Sequence, residues 1–569
     1  MIRKLLAFSM SLTLILSGCG QGVVSTPPGN GNSNTTPPPT PPTPTTASAQ
    51  IKHVVVIFDE NISFDHYFGT YPNAANTGGT TFTAATGTPT NINNYVSNPT
   101  LLTANPNLST GNGNSSANPF RLGPNQAATA DQDHNYGPEQ VAFDNGKMDL
   151  FPFSVGTANT ATLTNQTAAP GIANTTALTM AYYDGNTVTA MWNYAQHYSM
   201  NDHSFGTTFG ASTQGAINLV SGQTNGAVAS AGAAGGVVAD GNGAFTLIAD
   251  EDPTNDVCSS PTATVQMTGK NIGDLLNAAG VSWGFFAGGF NLSITNSNGT
   301  TGCLPNEATG SRATGAVNIP GNPLKSDYIP HHQPFQYYAS TANPNHVRPA
   351  SNAVIGTKAD TGAGTANHQY DVLDFATVLA GTGGAVLPAV SFLKAPGYQD
   401  AHAGYSDPLD EQTFVVNTIN AIENSSYWSS TAIIIAYDDS DGWYDHLNNF
   451  TNGSQSAADA TGFCNKAPSL LGITGTTPVQ GRCGYGPRLP LLVISPWAKK
   501  NFVDNTVTDQ SSVTHFIEDV FLSSTRLGGG STDTTSGSLM NMFNFTSTVA
   551  PNPNVVLLNP TTGAVTTGN

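Results

Sequence analysis

Chemistry first appears at Ile51–Gly69, IKHVVVIFDENISFDHYFG, where an apolar run empties into an acid, an amide, hydroxyls and an imidazole. Val54–Phe58 is a continuous β-branched and aromatic run. Such runs are buried on both faces of a parallel sheet, and ligands of open α/β sheets sit beyond the carboxyl ends of the strands. Glu60 and Asn61 fall at that end. Taken alone, the segment also fits a turn in which Asn61 or Ser63 caps a helix. A second group lies in Thr431–His446, TAIIIAYDDSDGWYDH, where Asp438 and Asp439 end an Ile/Ala strand. Adjacent carboxylates there resist full ionisation unless a cation lies beside them, although Asp-Asp-Ser-Asp-Gly is also good turn composition. In the third group Gly210-Ala211-Ser212-Thr213 enters an apolar segment. This puts Ser212 near a helix N-terminus, where amide hydrogens and the dipole favour anions and where an ordinary N-cap would also sit. Thr213 competes with it as a nucleophile.

Three histidines extend the pattern: His134 in Asp131-Gln132-Asp133-His134, His332 in His331-His332-Gln333-Pro334-Phe335, and His402 in the run Asp400–Pro408. Each alone fits a structural imidazole, but beside these carboxylates they suit a phosphate site. His66 and His446 are expected to orient neighbouring groups instead.

These segments, in this order, resemble the bacterial phosphoesterase family that contains acid phosphatase A and the secreted phospholipases C. Glu60–Gly69 matches the motif E-N-x-S-F-D-H-Y-F-G, and Asp438–His446 is similar to D-E-x-G-G-x-Y-D-H, with Asp439 for Glu and Asp441 for the first Gly. Ser212 keeps the register of a Gly-Pro-Ser/Thr turn followed by Ser221-Gly222, with Ala211 in place of Pro. Asp131–His134 with Asn145-Gly146-Lys147-Met148-Asp149, the His332–Phe335 stretch, Gly486–Pro490 and Val493–Trp497 carry the likeness onward, from Lys52 to about Phe521.

The resemblance implies a three-layer α/β sandwich around a mainly parallel sheet, as in the alkaline phosphatase superfamily, with long loop insertions. It implies metal-dependent hydrolysis of phosphate esters through a phosphoserine at Ser212. Glu60, Asn61, Asp438 and Asp439 would hold a divalent metal ion of unknown identity. His134, His332 and His402 would serve the phosphate oxygens and the leaving group. The usual two-metal His/Asp pattern is not evident, so one essential ion is expected. The implied substrate is a small phosphomonoester or a choline phospholipid. Because the chain ends soon after Phe545, without room for the β-domains of many family phospholipases, the balance tilts toward a phosphomonoesterase or a short phospholipase C-like enzyme. Trp192, Trp443 and Tyr444 are candidates for a choline-binding wall or for the core. The other reading is a cell-surface lipoprotein that binds a phosphorylated lipid or glycan without turnover. No Cys-x-Pro-x-Arg motif is present, which argues against a formylglycine sulfatase.

Elements must position these groups. Val54–Phe58, Val281–Phe286, Ala389–Leu393, Ala432–Tyr437 and Leu491–Ser495 read as strands; Ile272–Ala279, Thr413–Glu423 and Ser512–Leu522 read as helices. Their interleaving favours an α/β architecture, with long Gly/Asn/Thr loops at Asn73–Asn118, Gly222–Gly243 and Thr295–Gly321. The chain has 569 residues, only 9% of them charged, and a net charge of −19. That excludes an electrostatic grip on nucleic acid or anionic lipid. Residues 1–18 read as a signal peptide and Leu16-Ser17-Gly18-Cys19 as a lipobox, so an N-terminal lipid anchor in the cell envelope, or secretion, is expected. Residues 19–50 form a Pro/Thr-rich tether, 51–545 the catalytic domain and 546–569 a flexible tail. Four cysteines remain after Cys19, an even number that suggests two disulfides; the sequence leaves their pairing open, the local choice being Cys258 with Cys303 and Cys464 with Cys483.

Overall fold

The apolar runs assemble into one eight-stranded sheet in the computed structural model, whose described residues are 47–156, 176–240, 243–254, 256–294, 302–303, 326–449, 469–471, 478–547 and 549–567. Its strands are β1 (His53–Asp59), β2 (Ser199–Asn201), β3 (Trp283–Ala287), β4 (Gln369–Asp371), β5 (Val390–Lys394), β6 (Thr431–Tyr437), β7 (Leu491–Ile494) and β8 (Phe502–Asp504). They lie side by side in the order β4-β3-β5-β1-β6-β7-β2-β8. Only β7 runs against its neighbours; the other pairs are parallel. β1 sits between β5 and β6, with Ile57 level with Leu393 and Ile435. Val54–Phe58 and Ile433–Ile435 are fully buried, so both faces of these strands are covered, and their sequences run apolar without alternation.

The helices start and stop where local chemistry dictates. Helix α1 (Phe64–Phe68) is capped by Ser63, whose side chain accepts from His66 N–H. Helix α2 (Tyr136–Phe143) follows His134, α3 (Ser212–Ser221) begins at the candidate nucleophile, and α4 (Ile272–Ala279) has an Asn271/Asp274 capping box and ends at Gly280. Helix α5 (Pro408–Glu423) starts five residues before the expected Thr413, because Asp407 accepts from Leu409 and Asp410 N–H while Pro408 occupies the first turn. Helix α6 covers Ser511–Phe521.

Two expectations are corrected. Gly222–Gly243 is not a plain loop: Asn225–Ala229 and Val237–Ala239 join Phe245–Leu247, Asp252–Pro253 and Thr264–Met267 in a five-stranded sheet. Asn225–Ala229, NGAVA, has low intrinsic β-propensity and the other strands are only two to four residues long, so pairing rather than a long apolar run defines them. Nor is the tail frayed over 549–567. Leu557–Leu558 pairs with Val565–Thr567, Val556 and Leu558 are buried, Glu423 accepts from Val556 N–H at 2.8 Å, and Asn420 bonds Leu558 through both its amide atoms. The Val555–Leu558 run supplies the apolar surface that the Pro/Asn/Thr composition conceals. Cys258 and Cys303 form the expected disulfide; Cys464 lies outside the described residues. Among the described residues no helix is long and apolar enough to cross a membrane.

Candidate functional site

Three neighbouring strands deliver their C-terminal ends to one place. β1 leads into Glu60 and Asn61, β6 into Asp438 and Asp439, and β5 ends at Lys394. All five residues are buried. Asn61 adopts a left-handed backbone (φ +55°), tolerable for Asn, and its N–H donates to Asp438 Oδ1 at 3.0 Å, locking the two strand ends together.

Helix α3 brings Ser212 against this edge. Its hydroxyl lies 3.0 Å from Glu60 Oε2, 3.1 Å from Asp439 Oδ2 and 3.4 Å from Asn61 Oδ1. The approach depends on Gly215, where a Cβ would lie 2.0 Å from the Asp438 carbonyl oxygen. Thr213 is turned elsewhere: its hydroxyl and N–H both donate to Asp250 Oδ1, at 2.8 and 2.9 Å. Of the two candidate nucleophiles only Ser212 faces the carboxylates.

The three histidines surround the same point. His332 Nδ1 is 3.0 Å from Glu60 Oε1; His134 Nε2 is 3.4 Å from the Asn61 amide nitrogen; His402 Nε2 is 3.1 Å from the Asn61 amide. His134 Nδ1 donates to the Gln132 carbonyl at 2.9 Å and lies 3.3 Å from Asp441 Oδ1, while His402 Nδ1 donates to the Ala403 carbonyl at 2.6 Å. These bonds aim the opposite ring nitrogens at the centre. Burial alone would lower His134, but Asp439, Asp441 and Asp131 outweigh it and hold the imidazole well above its ordinary value.

The carboxylates show the reverse imbalance. Burial, with each carboxyl pressing on the other, pushes Asp439 well above the ordinary carboxylate range; burial likewise raises Asp438, partly offset by Lys394. Asp438 Oδ2 and Asp441 Oδ2 are buried with no hydrogen-bond partner. With the Asn61 amide oxygen toward the strand ends, that oxygen stands 2.8 Å from Glu60 Oε2 and 3.2 Å from Asp438 Oδ1, acceptors facing an acceptor. Turned over, its NH2 donates to both and its oxygen accepts from His402. The turned-over amide satisfies all three of these neighbours. Glu60, Asn61, Asp438 and Asp439 fit a hard or borderline divalent ion.

Several groups at the site had not been singled out from the sequence. Lys394 Nζ pairs with Glu60 Oε1 and lies 3.9 Å from Asp438 Oδ2. Asp400 sits 4.0 Å from His332 Nδ1, its carboxyl pushed up to about 8 by burial, against the pull of Lys394. Glu139, on α2, accepts from Gly210 N–H at 2.9 Å and Ser440 hydroxyl at 2.8 Å, tying the nucleophile turn to the Asp439 loop; burial raises it to about 7. A lone Lys closing the apolar Val-Ser-Phe-Leu run was the available signal for Lys394; for Glu139 the sequence carried none.

Other expected residues fall outside the centre. His66 stacks on Trp443 with centroids 3.9 Å apart, donates to the Ala181 carbonyl, and is driven down to about 3 by burial. His446 binds Asp65 Oδ2 at 2.6 Å and Asn93 Oδ1 at 2.9 Å. Trp192, Trp443 and Tyr444 are core residues, each no more than 1% exposed, and so do not line a choline wall. Trp192 Nε1 donates to the Tyr67 carbonyl, and Tyr444 OH receives the Asn105 amide.

A serine at a helix N-terminus thus faces clustered carboxylates and histidines at the C-terminal edge of the mostly parallel sheet of an α/β protein, the place where ligands of such sheets bind. The chain belongs to the Phosphoesterase family, whose model matches residues 51–522. It is similar to the non-hemolytic phospholipase C of Pseudomonas aeruginosa, 33% identical over 150 residues, covering 24% of this chain and 20% of that one. A non-hemolytic phospholipase C of Burkholderia pseudomallei is 34% identical over 136 residues, 23% of this chain and 19% of the relative. Phospholipase C A of Mycobacterium tuberculosis is 27% identical over 126 residues, 22% and 24% of the two chains. The matched segments span about a fifth to a quarter of these relatives' length.

Proposed function

We propose that this protein is a metal-dependent phosphoric ester hydrolase of phospholipase C-like type, built on an alkaline phosphatase-like three-layer fold and acting through a phosphoserine at Ser212. The observation that carries the reading is the Ser212 hydroxyl within 3.1 Å of both Glu60 and Asp439, at the point where Asn61 and Asp438 converge. A divalent cation held by Glu60, Asn61, Asp438 and Asp439 would supply the positive charge that favours the serine alkoxide and offsets the phosphate charge. Ser212 Oγ attacks phosphorus in line, forming the Ser–O–P bond as the ester P–O bond breaks. His134 and His402 face the centre and donate to phosphate oxygens, and His332 protonates the departing alkoxide. Water then cleaves the phosphoserine, and its released proton returns to the histidine. The names of the relatives favour a phosphodiester of the phospholipid type over a monoester. Lipid attachment at Cys19 would hold the enzyme at the cell envelope, where such substrates lie.

The test compares hydrolysis of p-nitrophenylphosphorylcholine and p-nitrophenyl phosphate by wild type and Ser212→Ala, with and without chelator. Expected is cleavage of the choline diester, lost on chelation, with kcat down at least 10³-fold in Ser212→Ala. Preference for the monoester makes the enzyme a phosphatase. Cleavage of neither with any common divalent ion overturns the enzymatic reading in favour of binding without turnover.

A further inference from the structure

We propose that Lys394 stands in for a second metal ion, limiting the centre to one divalent cation and fixing the orientation of two of its ligands. The inference rests on the phosphoesterase reading and specifies the composition of that same site. Lys394 is the last residue of β5, 4% exposed, and the strand pairing with β1 sets it beside Glu60. Its ammonium lies on the far side of the ligand carboxylates from Ser212. Glu60 gives Oε1 to Lys394 and His332 and keeps Oε2 for Ser212. Asp438 turns Oδ2 toward Lys394 and gives Oδ1 to the N–H groups of Asn61 and Asp439. Glu60 is thus held by cationic groups at one oxygen while the other faces the Ser212 hydroxyl, and Asp438 Oδ2 lies 3.9 Å from the same ammonium.

Charge supports the same conclusion. The carboxylates of Glu60, Asp438 and Asp439 carry three negative charges when ionised, which one ammonium and one divalent ion together balance. A buried cluster left short of positive charge is costly, so a site without the lysine would draw a further cation. Phe58, with Lys394 Nζ 5.5 Å from its ring centroid, closes the apolar side.

The test is calorimetric titration of the chelator-stripped full-length chain with Mn²⁺, for wild type, Lys394→Met and Lys394→Arg, with thermal unfolding of each. Wild type and Lys394→Arg should bind one ion per chain. Lys394→Met should bind two and show a Tm more strongly dependent on Mn²⁺. Two ions in wild type, or one ion of unchanged affinity in Lys394→Met, overturns the proposal. Should Lys394→Met fail to fold, the wild-type and Lys394→Arg counts still decide, since either binding two ions is fatal. A wild type that binds one ion but hydrolyses neither ester defeats the enzymatic reading while leaving this one standing.

Discussion

Two buried ionic clusters sit near the C-terminal edge of the sheet, and they are built on opposite principles. Around Arg488 the buried polar groups find partners, although burial still pushes Asp445 up to about 6 against the pull of Arg488. The guanidinium bonds Asp65 Oδ1 at 2.9 Å, both Asp445 oxygens at 3.1 Å, and the carbonyls of Asn93 and Asp202. Asp65 Oδ2 takes the ring and N–H of His446, and Asp445 accepts from Asp65 and Leu447 N–H. Burial pushes Asp65 up, but His446 and Arg488 outweigh it and hold it below the usual carboxylate range. Around Ser212 the carboxylates are in excess, Asp438 and Asp439 are raised, and two carboxylate oxygens lack a hydrogen-bond partner. A cluster that closes its own hydrogen bonds is a structural rivet. One that keeps buried carboxylates in excess has room for a ligand that brings positive charge.

Breaking the balanced cluster should have the largest effect. Arg488→Met strands Asp65 and Asp445 in a fully buried site, which typically costs about 3–5 kcal/mol. Chemical denaturation should show a loss of that order. A loss below about 1 kcal/mol would mean the rivet reading is wrong.

The second break concerns the sign of pH dependence. Asp65, held below its unfolded value of 3.8, contributes stability that is present above that value and lost as pH falls through the lowered one. Glu139 behaves in the opposite sense. Its folded carboxyl titrates at about 7 against 4.5 unfolded, so the unfolded state releases its proton first and stability falls as pH rises from 4.5 to 7. Glu139→Gln keeps an acceptor for Gly210 and removes the titration. In chelator, wild type should lose on the order of 3 kcal/mol relative to Glu139→Gln across that window, and nothing further above it. Parallel stability curves for the two proteins would refute the assignment.

The contrast also explains what the sequence could reveal. β1, β5 and β6 were legible because strands covered on both faces carry unbroken apolar runs, and their ends then named Glu60, Asn61, Asp438 and Asp439. Placing His134, His332 and His402 around one point depended on motif resemblance, since no local pattern encodes contacts between segments this far apart in the chain. Lys394, Asp400 and Glu139 escaped because their roles exist only across strands and loops: Glu139 meets Ser440 from 301 residues away. The strands of the five-stranded sheet escaped for a different reason, their shortness and the low propensity of Asn225–Ala229. The Ser212–Thr213 choice, open in sequence, gains a geometric difference: Thr213 bonds Asp250 while Ser212 faces Glu60 and Asp439.

The smallest effect sharpens the comparison most, because it sets stability against function at one atom pair. Asp441 is fully buried, holds a left-handed backbone at φ +54°, and leaves Oδ2 without a hydrogen-bond partner. Glycine adopts that backbone freely, and removing the side chain removes the unpaired oxygen. Against this, glycine adds roughly 0.5–1 kcal/mol of unfolded-state entropy. Asp441→Gly should therefore be more stable than wild type in chelator by about 1 kcal/mol, read from the denaturation midpoint at unchanged slope. The same change takes away the carboxylate 3.3 Å from His134 Nδ1, so that imidazole should titrate lower and the ester-hydrolysis profile should lose activity at the alkaline side first. A variant both less stable and unaltered in its pH profile would show that Asp441 belongs with the rivet around Arg488 and not with the unbalanced site.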